Sequence, residues 1–110
     1  MKISKIYNAL ALECVSGNPE SDFNADSCYI GDLLSLAMSH VKSGTVWITI
    51  QTNINVAAVA SLGDAACVII VDGFSPDENT LAKAEAEGIT IFTTGMSAYE
   101  TAKKLAELGL

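Results

Sequence analysis

TVWITIQTNINVAAVASLGDAACVIIVDG, residues 45–73, decides the fold. Its two ends, TVWITI (45–50) and ACVIIV (66–71), are short, rich in β-branched residues and almost continuously apolar. Strands covered on both faces read this way, whereas a strand with one wet face alternates. Between them INVAAVASL (54–62) has the composition of a helix, and Gly63 is placed to end it in a left-handed conformation. Strand, helix and strand joined by short connections form a right-handed crossover, which makes the two strands parallel neighbours in one sheet.

The same alternation continues outward. Downstream, DENTLAKAEAE (77–87) follows Pro76, carries acids in its first turn and stops at Gly88. GITIF (88–92) is a third strand, and SAYETAKKLAEL (97–108) opens with Ser97 and Glu100 at capping-box spacing and closes at Gly109. Upstream, ISKIYNALAL (3–12) reads as a helix with Ile3, Ile6 and Leu10 on one face. ECVSG (13–17) and SCYI (27–30) are short strands, and DLLSLAMSHV (32–41) is a helix with Asp32 as its cap. NPESDFNAD (18–26) is polar and turn-rich, the best candidate for a mobile loop. No internal repeat or low-complexity tract breaks the chain. The expected architecture is one α/β domain over residues 1–110, a three-layer sandwich around a mainly parallel sheet of about five strands.

Composition narrows the function. Half of the 110 residues are hydrophobic and 17% are charged, against roughly 25% charged in average soluble domains. The net charge is −7, with six lysines and no arginine. Nucleic acid is therefore not an expected partner, and guanidinium clamps for phosphate are unavailable. Cys14, Cys28 and Cys67 are an odd number at wide spacings and, with the single His40, offer neither a disulfide framework nor a zinc pattern. They read as core thiols in a reducing compartment. No segment approaches the roughly 20 apolar residues of a membrane span, so a cytoplasmic protein without a membrane role is expected. The shortage of charge, with Ala- and Val-rich helices such as 54–62, points to a twofold homodimer, unless those helices are enclosed within the core.

In a parallel sheet, ligands bind beyond the carboxyl ends of the strands. The loops VSGN, YIGD, IQTNIN, VDGFSPD and FTTGMS are read as lying there, a neutral-to-acidic rim without a cation. Thr93, Thr94, Gly95 and Ser97 could hold an anion by hydroxyls and helix amides, or simply start a helix. Gln51, Thr52 and Asn53 are amides and a hydroxyl suited to a neutral polar ligand such as a base or sugar, although Asn53 or Asn55 could merely cap the next helix. Asp72 follows a buried strand, as a magnesium-binding or catalytic acid often does, and is equally well placed as a turn residue beside Gly73. His40, near a helix end, reads as a cap residue and Trp47 as packing. No phosphate loop of the G-x-x-x-x-G-K-[ST] type occurs, and no catalytic constellation emerges. The expectation is a non-enzyme with no metal site and no cofactor.

YIGDLLS, NVAAVASLGDAACVIIVDGFSP and AEAEGITIFTTGMSAYETAKKL, in this order and opened by ISKIYNALALECVSG, resemble the DRTGG-domain family over nearly the whole chain. The Asp-Arg-Thr-Gly-Gly string itself is absent, and the Thr93–Ser97 loop is the best-kept piece. The resemblance implies a fold like the amino-terminal domain of HPr kinase/phosphorylase, without its nucleotide-binding kinase domain. It implies a non-catalytic regulatory or small-ligand-binding module. The alternative it leaves open is a structural or assembly subunit of a larger redox complex (hydrogenase or iron–sulfur) or a metabolic enzyme complex.

Overall fold

A computed structural model describes residues 1–110. Its elements run α1 (Ile3–Ala9), β1 (Glu13–Ser16), β2 (Ser27–Ile30), α2 (Leu34–His40), β3 (Thr45–Thr49), α3 (Asn55–Gly63), β4 (Cys67–Ile70), α4 (Glu78–Glu87), β5 (Ile91–Thr93) and α5 (Ala98–Leu108). The sheet order is β1-β5-β4-β3-β2. The pairs β2–β3, β3–β4 and β4–β5 are parallel and β1–β5 is antiparallel. The expected α/β sandwich with a mainly parallel five-stranded sheet is the one observed.

Every residue of β3, β4 and β5 is buried, as their unbroken apolar patterns require. Alternate residues feed two cores. Val46, Ile48, Cys67, Ile69 and Phe92 face α1 and α5, where Ile3, Ile6, Leu10 and Leu105 meet them. Trp47, Val68, Ile70 and Ile91 face α2, α3 and α4. Helix α3 lies between α2 and α4, and Ala57 and Ala60 have no exposed surface. Most of the Ala and Val of this helix is therefore internal, while Ala58 and the exposed Leu62 remain on its outer side.

Several boundaries move for physical reasons. The helix read over 3–12 ends at Ala9; Ala11 turns left-handed (φ 52°), and the Leu12 amide reaches back to Tyr7 O. That turn delivers Leu12 to the core and starts β1. Gly63 does not terminate α3. Asp64 takes the left-handed cap (φ 57°), while a Cβ on Gly63 would stand 2.4 Å from the Val41 carbonyl oxygen. The glycine permits close packing of α3 on the end of α2. Asp32 does not cap α2, whose N-cap is Leu33. Its carboxylate instead accepts from Thr49 Oγ1 and the Ile50 amide, each at 2.9 Å. The 18–26 segment is fastened at its far end: the Ala25 amide donates to Met1 O, the Met1 ammonium donates to Asn24 Oδ1, and Ala25 is buried.

The helix ends read at Ser97, Gly109 and Gly88 are formed. Ser97 and Glu100 make the reciprocal capping box of α5, and Gly109 closes it at φ 103°. Asp77, read as the first residue of its helix, is instead the N-cap of α4 and accepts from the Thr80 amide at 2.9 Å. That hydrogen bond holds the Asp77 carboxyl below its ordinary value of 3.8. The charged form is favoured by the fold, so its contribution is present above that value and lost as pH falls through the lowered folded one. Asp77→Asn keeps a capping oxygen but no charge. Its melting temperature should lie below that of the unsubstituted protein at neutral pH. The gap should begin to close below pH 3.8 in a melting series, and a gap independent of pH would contradict the assignment.

Candidate functional site

The carboxyl ends of β2 to β5 share one end of the sheet, and the loops there are bonded to one another. After β4, Asp72 (φ 59°) and Gly73 (φ 76°) are consecutive left-handed residues. Two such residues reverse the chain sharply, so that the Asp72 amide donates to Met96 O at 2.8 Å and the Gly73 amide to Thr94 O at 3.0 Å. The Thr94 amide donates to Ile70 O at 3.0 Å, and its hydroxyl accepts from the Met96 amide at 3.2 Å. Much of the hydroxyl-and-glycine loop is thus committed to joining β5 with the β4 exit.

Beside this joint lies a cleft of about 290 Å³ lined by Ala11, Glu13, Gly73, Phe74, Ser75, Thr93, Thr94 and Gly95. Glu13 is its one charged residue. Because β1 runs antiparallel to β5, its first residue, Glu13, pairs with Thr93 and arrives at the end of the sheet where β2 to β5 finish. The same reversal corrects the reading of VSGN. Ser16 and Asn18 lie at the opposite end, where Ser16 Oγ donates to Ile89 O and the Asn18 amide donates to Thr90 Oγ1. Phe74 is about half exposed and is the one aromatic residue of the lining.

The residues singled out from the sequence are distributed unevenly. Thr93, Thr94 and Gly95 line the cleft, Asp72 sits one residue from it, and Ser97 is occupied as the α5 cap. Gln51, Thr52 and Asn53 share the same end but not the same cleft, because β4 separates β3 from β5. Gln51 Nε2 donates to Asp32 O, its Oε1 accepts from the Asn53 amide, and Asn53 Oδ1 accepts from the Asn55 amide. The Thr52 carbonyl accepts from Thr80 Oγ1. These groups hold loop to loop and start α3. Sequence reasoning missed Glu13, Ala11 and Phe74 as cleft residues. An aromatic within the polar loop VDGFSPD was the available signal for Phe74; Glu13 had none without the strand direction.

The nucleophile inventory is plain. Cys67 is buried and desolvation pushes its thiol upward. Cys14 is half-buried and its thiol is also raised, chiefly by desolvation. Cys28 is not the core thiol expected: it is an exposed residue of the edge strand, although desolvation of its sulfur still raises it to about 11. The His40 ring stacks on Tyr29 with centroids 4.7 Å apart, beside a shallow hollow whose lining it shares with Cys28 and Lys42; no hydrogen bond joins the imidazole to the thiol. No helix is long and apolar enough to cross a membrane.

Fold and cleft define a three-layer α/β domain whose parallel strands end at a small, polar, solvent-facing seat. The chain belongs to the DRTGG domain family, whose model matches residues 5–108. Among solved structures it is similar to the CBS and DRTGG domains of the regulatory region of Clostridium perfringens pyrophosphatase, complexed with the activator diadenosine tetraphosphate. The TM-score is 0.77 at 16% identity, covering 94% of this chain and 45% of that one. The chain thus spans less than half of that regulatory region, and at this identity the likeness is one of fold. No curated protein matches the chain.

Proposed function

We propose that this domain is a non-catalytic regulatory module that seats a small polar ligand in the Glu13–Phe74–Thr94 cleft. The observation that carries the reading is the cleft itself: hydroxyls of Thr93, Thr94 and Ser75, an acceptor at Glu13 and an exposed ring at Phe74, at the ligand end of a parallel sheet. Asp72 belongs to the same seat through the turn it makes; Gln51, Thr52, Asn53 and Ser97 support the surrounding loops. The pyrophosphatase regulatory region carries a nucleotide activator. In the present chain a carboxylate and no Lys or Arg lines the cleft, which favours a neutral or cationic polar molecule, such as a nucleoside-like or sugar-like group, over a polyphosphate. The sequence carries no phosphate loop of the G-x-x-x-x-G-K-[ST] type, which favours regulation over phosphoryl transfer.

Gly95 gives a clean test. A Cβ there meets nothing within 4 Å, so Gly95→Leu should leave the unliganded melting temperature nearly unchanged, within about 0.5 kcal/mol of stability. The leucine should fill the seat. In a thermal-shift screen of small polar metabolites, a ligand at a hundredfold over its Kd should stabilise the unsubstituted protein by about 2.7 kcal/mol. Gly95→Leu should abolish that response. Equal stabilisation of both proteins would move the site elsewhere. Stabilisation by a co-purifying protein alone would favour the assembly-subunit reading.

A further inference from the structure

The two edges of the sheet are not alike. Edge β1 is short, begins at Glu13, and shifts register between Cys14 and Ser16. A bulge and a charge are the devices by which proteins blunt an edge against further pairing. Edge β2 has neither. It pairs with β3 in four consecutive registers, Ser27–Thr45 to Ile30–Ile48, without a bulge. The Ser27 and Gly31 amides donate to Gly44 O and Ile48 O on the β3 side. By the alternation of a parallel ladder, the amides and carbonyls of Cys28 and Ile30 point outward from the sheet.

Both faces of this open edge are apolar. On the helix side Leu33 and Leu36 are 65% and 49% exposed, and Met38 of the same segment is also exposed. On the other face Ile30 and Ile50 are 50% and 41% exposed. From Ser27 to Val41 there is no Lys, Arg or Glu, and the one acid, Asp32, is tied inward to Thr49 and Ile50. A chain carrying a net −7 approaches a copy of itself most readily across a face free of like charge.

We propose that two copies of the chain join edge to edge along β2, antiparallel about a twofold axis, to make one continuous ten-stranded sheet from two five-stranded ones. An outward row of alternating donors and acceptors is complementary to itself under such an axis. The axis places α2 against its partner copy on one face of the seam, where Leu33 and Leu36 close over the new pairing. Ile30 and Ile50 close the other face. A stable dimer buries on the order of 800 Å² per partner, about one-seventh of the 5444 Å² this chain exposes. The strand edge together with the outer side of α2 offers an apolar centre, Ile30, Leu33 and Leu36, and a rim of serines and Lys42. The inference is independent of the ligand seat.

Sedimentation equilibrium of the purified full chain, from a few to several hundred micromolar, tests it. The expected result is a species at twice 11.5 kDa. Ile30→Lys and Leu36→Glu alter exposed side chains on opposite faces of the seam. Each should shift the sample to monomer, weakening association at least tenfold, while circular dichroism and melting show a folded protein. Tyr99→Lys, at a more exposed apolar site on α5, should leave the dimer intact. Two variants guard against one failing to fold. A monomer throughout the concentration range overturns the proposal, as does a dimer that survives both Ile30→Lys and Leu36→Glu or is lost equally in Tyr99→Lys.

Discussion

Trp47→Ala should cost about 3–5 kcal/mol, the usual toll for deleting a buried aromatic. Trp47 is the largest fully buried side chain and stands in β3, an interior strand beside edge β2, facing the core under α2 and α3. Its indole does a second job: Nε1 donates to Gly31 O at 2.9 Å, pinning the β2–α2 turn to the adjacent interior strand. The alanine variant loses the packed ring and leaves the turn untethered, so α2 and edge β2 should loosen together. Against a total of about 5–15 kcal/mol for a domain, the melting temperature should fall by roughly 12–20 °C, at about 4 °C per kcal/mol for this size. Trp47→Phe retains most of the apolar volume and removes the donor. The Gly31 carbonyl is only partly buried and can find water, so this variant should lose about 1–2 kcal/mol. Urea titrations of both variants separate packing from tethering. A loss below about 1 kcal/mol in Trp47→Ala would contradict the packing account.

The same residue shows what the sequence makes legible. Trp47 alternates with Val46 and Ile48 in an unbroken apolar run, and such runs can only be strands covered on both faces. That pattern is local and strong, and it yields β3, β4 and β5, their helices and the layer count. The caps at Ser97, Gly88 and Gly109 are equally local. Direction and partnership are not. A four-residue edge strand such as β1 has no pattern that says which way it runs, and its direction decides that Glu13, not Ser16, reaches the carboxyl end of the parallel strands. Asp32 has the residue type and position of a cap, but tertiary partners at Thr49 and Ile50 outbid the helix for its carboxylate. Gly63 looks like a terminator and is instead a point of close helix contact with Val41. The site was half legible for the same reason. Thr93–Gly95 announce themselves as a loop between strand and helix, while their neighbours across the cleft come from a segment about 80 residues earlier, brought there by an antiparallel pairing.

Gly17→Ala is expected to damage both stability and the cleft, although Gly17 lies at the far end of the sheet from it. Gly17 follows β1 with φ 79°, and its Cβ would stand 2.4 Å from Thr90 Oγ1 and 2.6 Å from Thr90 Cα. The second contact is backbone, so no side-chain rotation relieves it. The segment is also stitched down: the Gly17 amide donates to Glu85 Oε1 at 2.7 Å, and Ser16 Oγ donates to Ile89 O at 2.9 Å. Left-handed strain of about 1–2 kcal/mol adds to about 1–3 kcal/mol for overpacking, and a total loss of about 2–5 kcal/mol is expected. Gly88→Ala isolates the first part, because Gly88 has φ 70° with open space around its Cβ. It should lose about 1 kcal/mol and leave ligand binding alone. In Gly17→Ala the clash is relieved most cheaply by lifting β1 away from the strand that begins after Thr90. β1 is only four residues long, and its other end carries Glu13 against Thr93. Displacing one end therefore moves the carboxylate at the other, and ligand stabilisation should fall even at temperatures where the variant is fully folded. Melting curves of the two alanine variants, with and without the ligand from the screen, check this: a Gly17→Ala protein as stable as Gly88→Ala would show that β1 yields without cost and that Glu13 is not held by it.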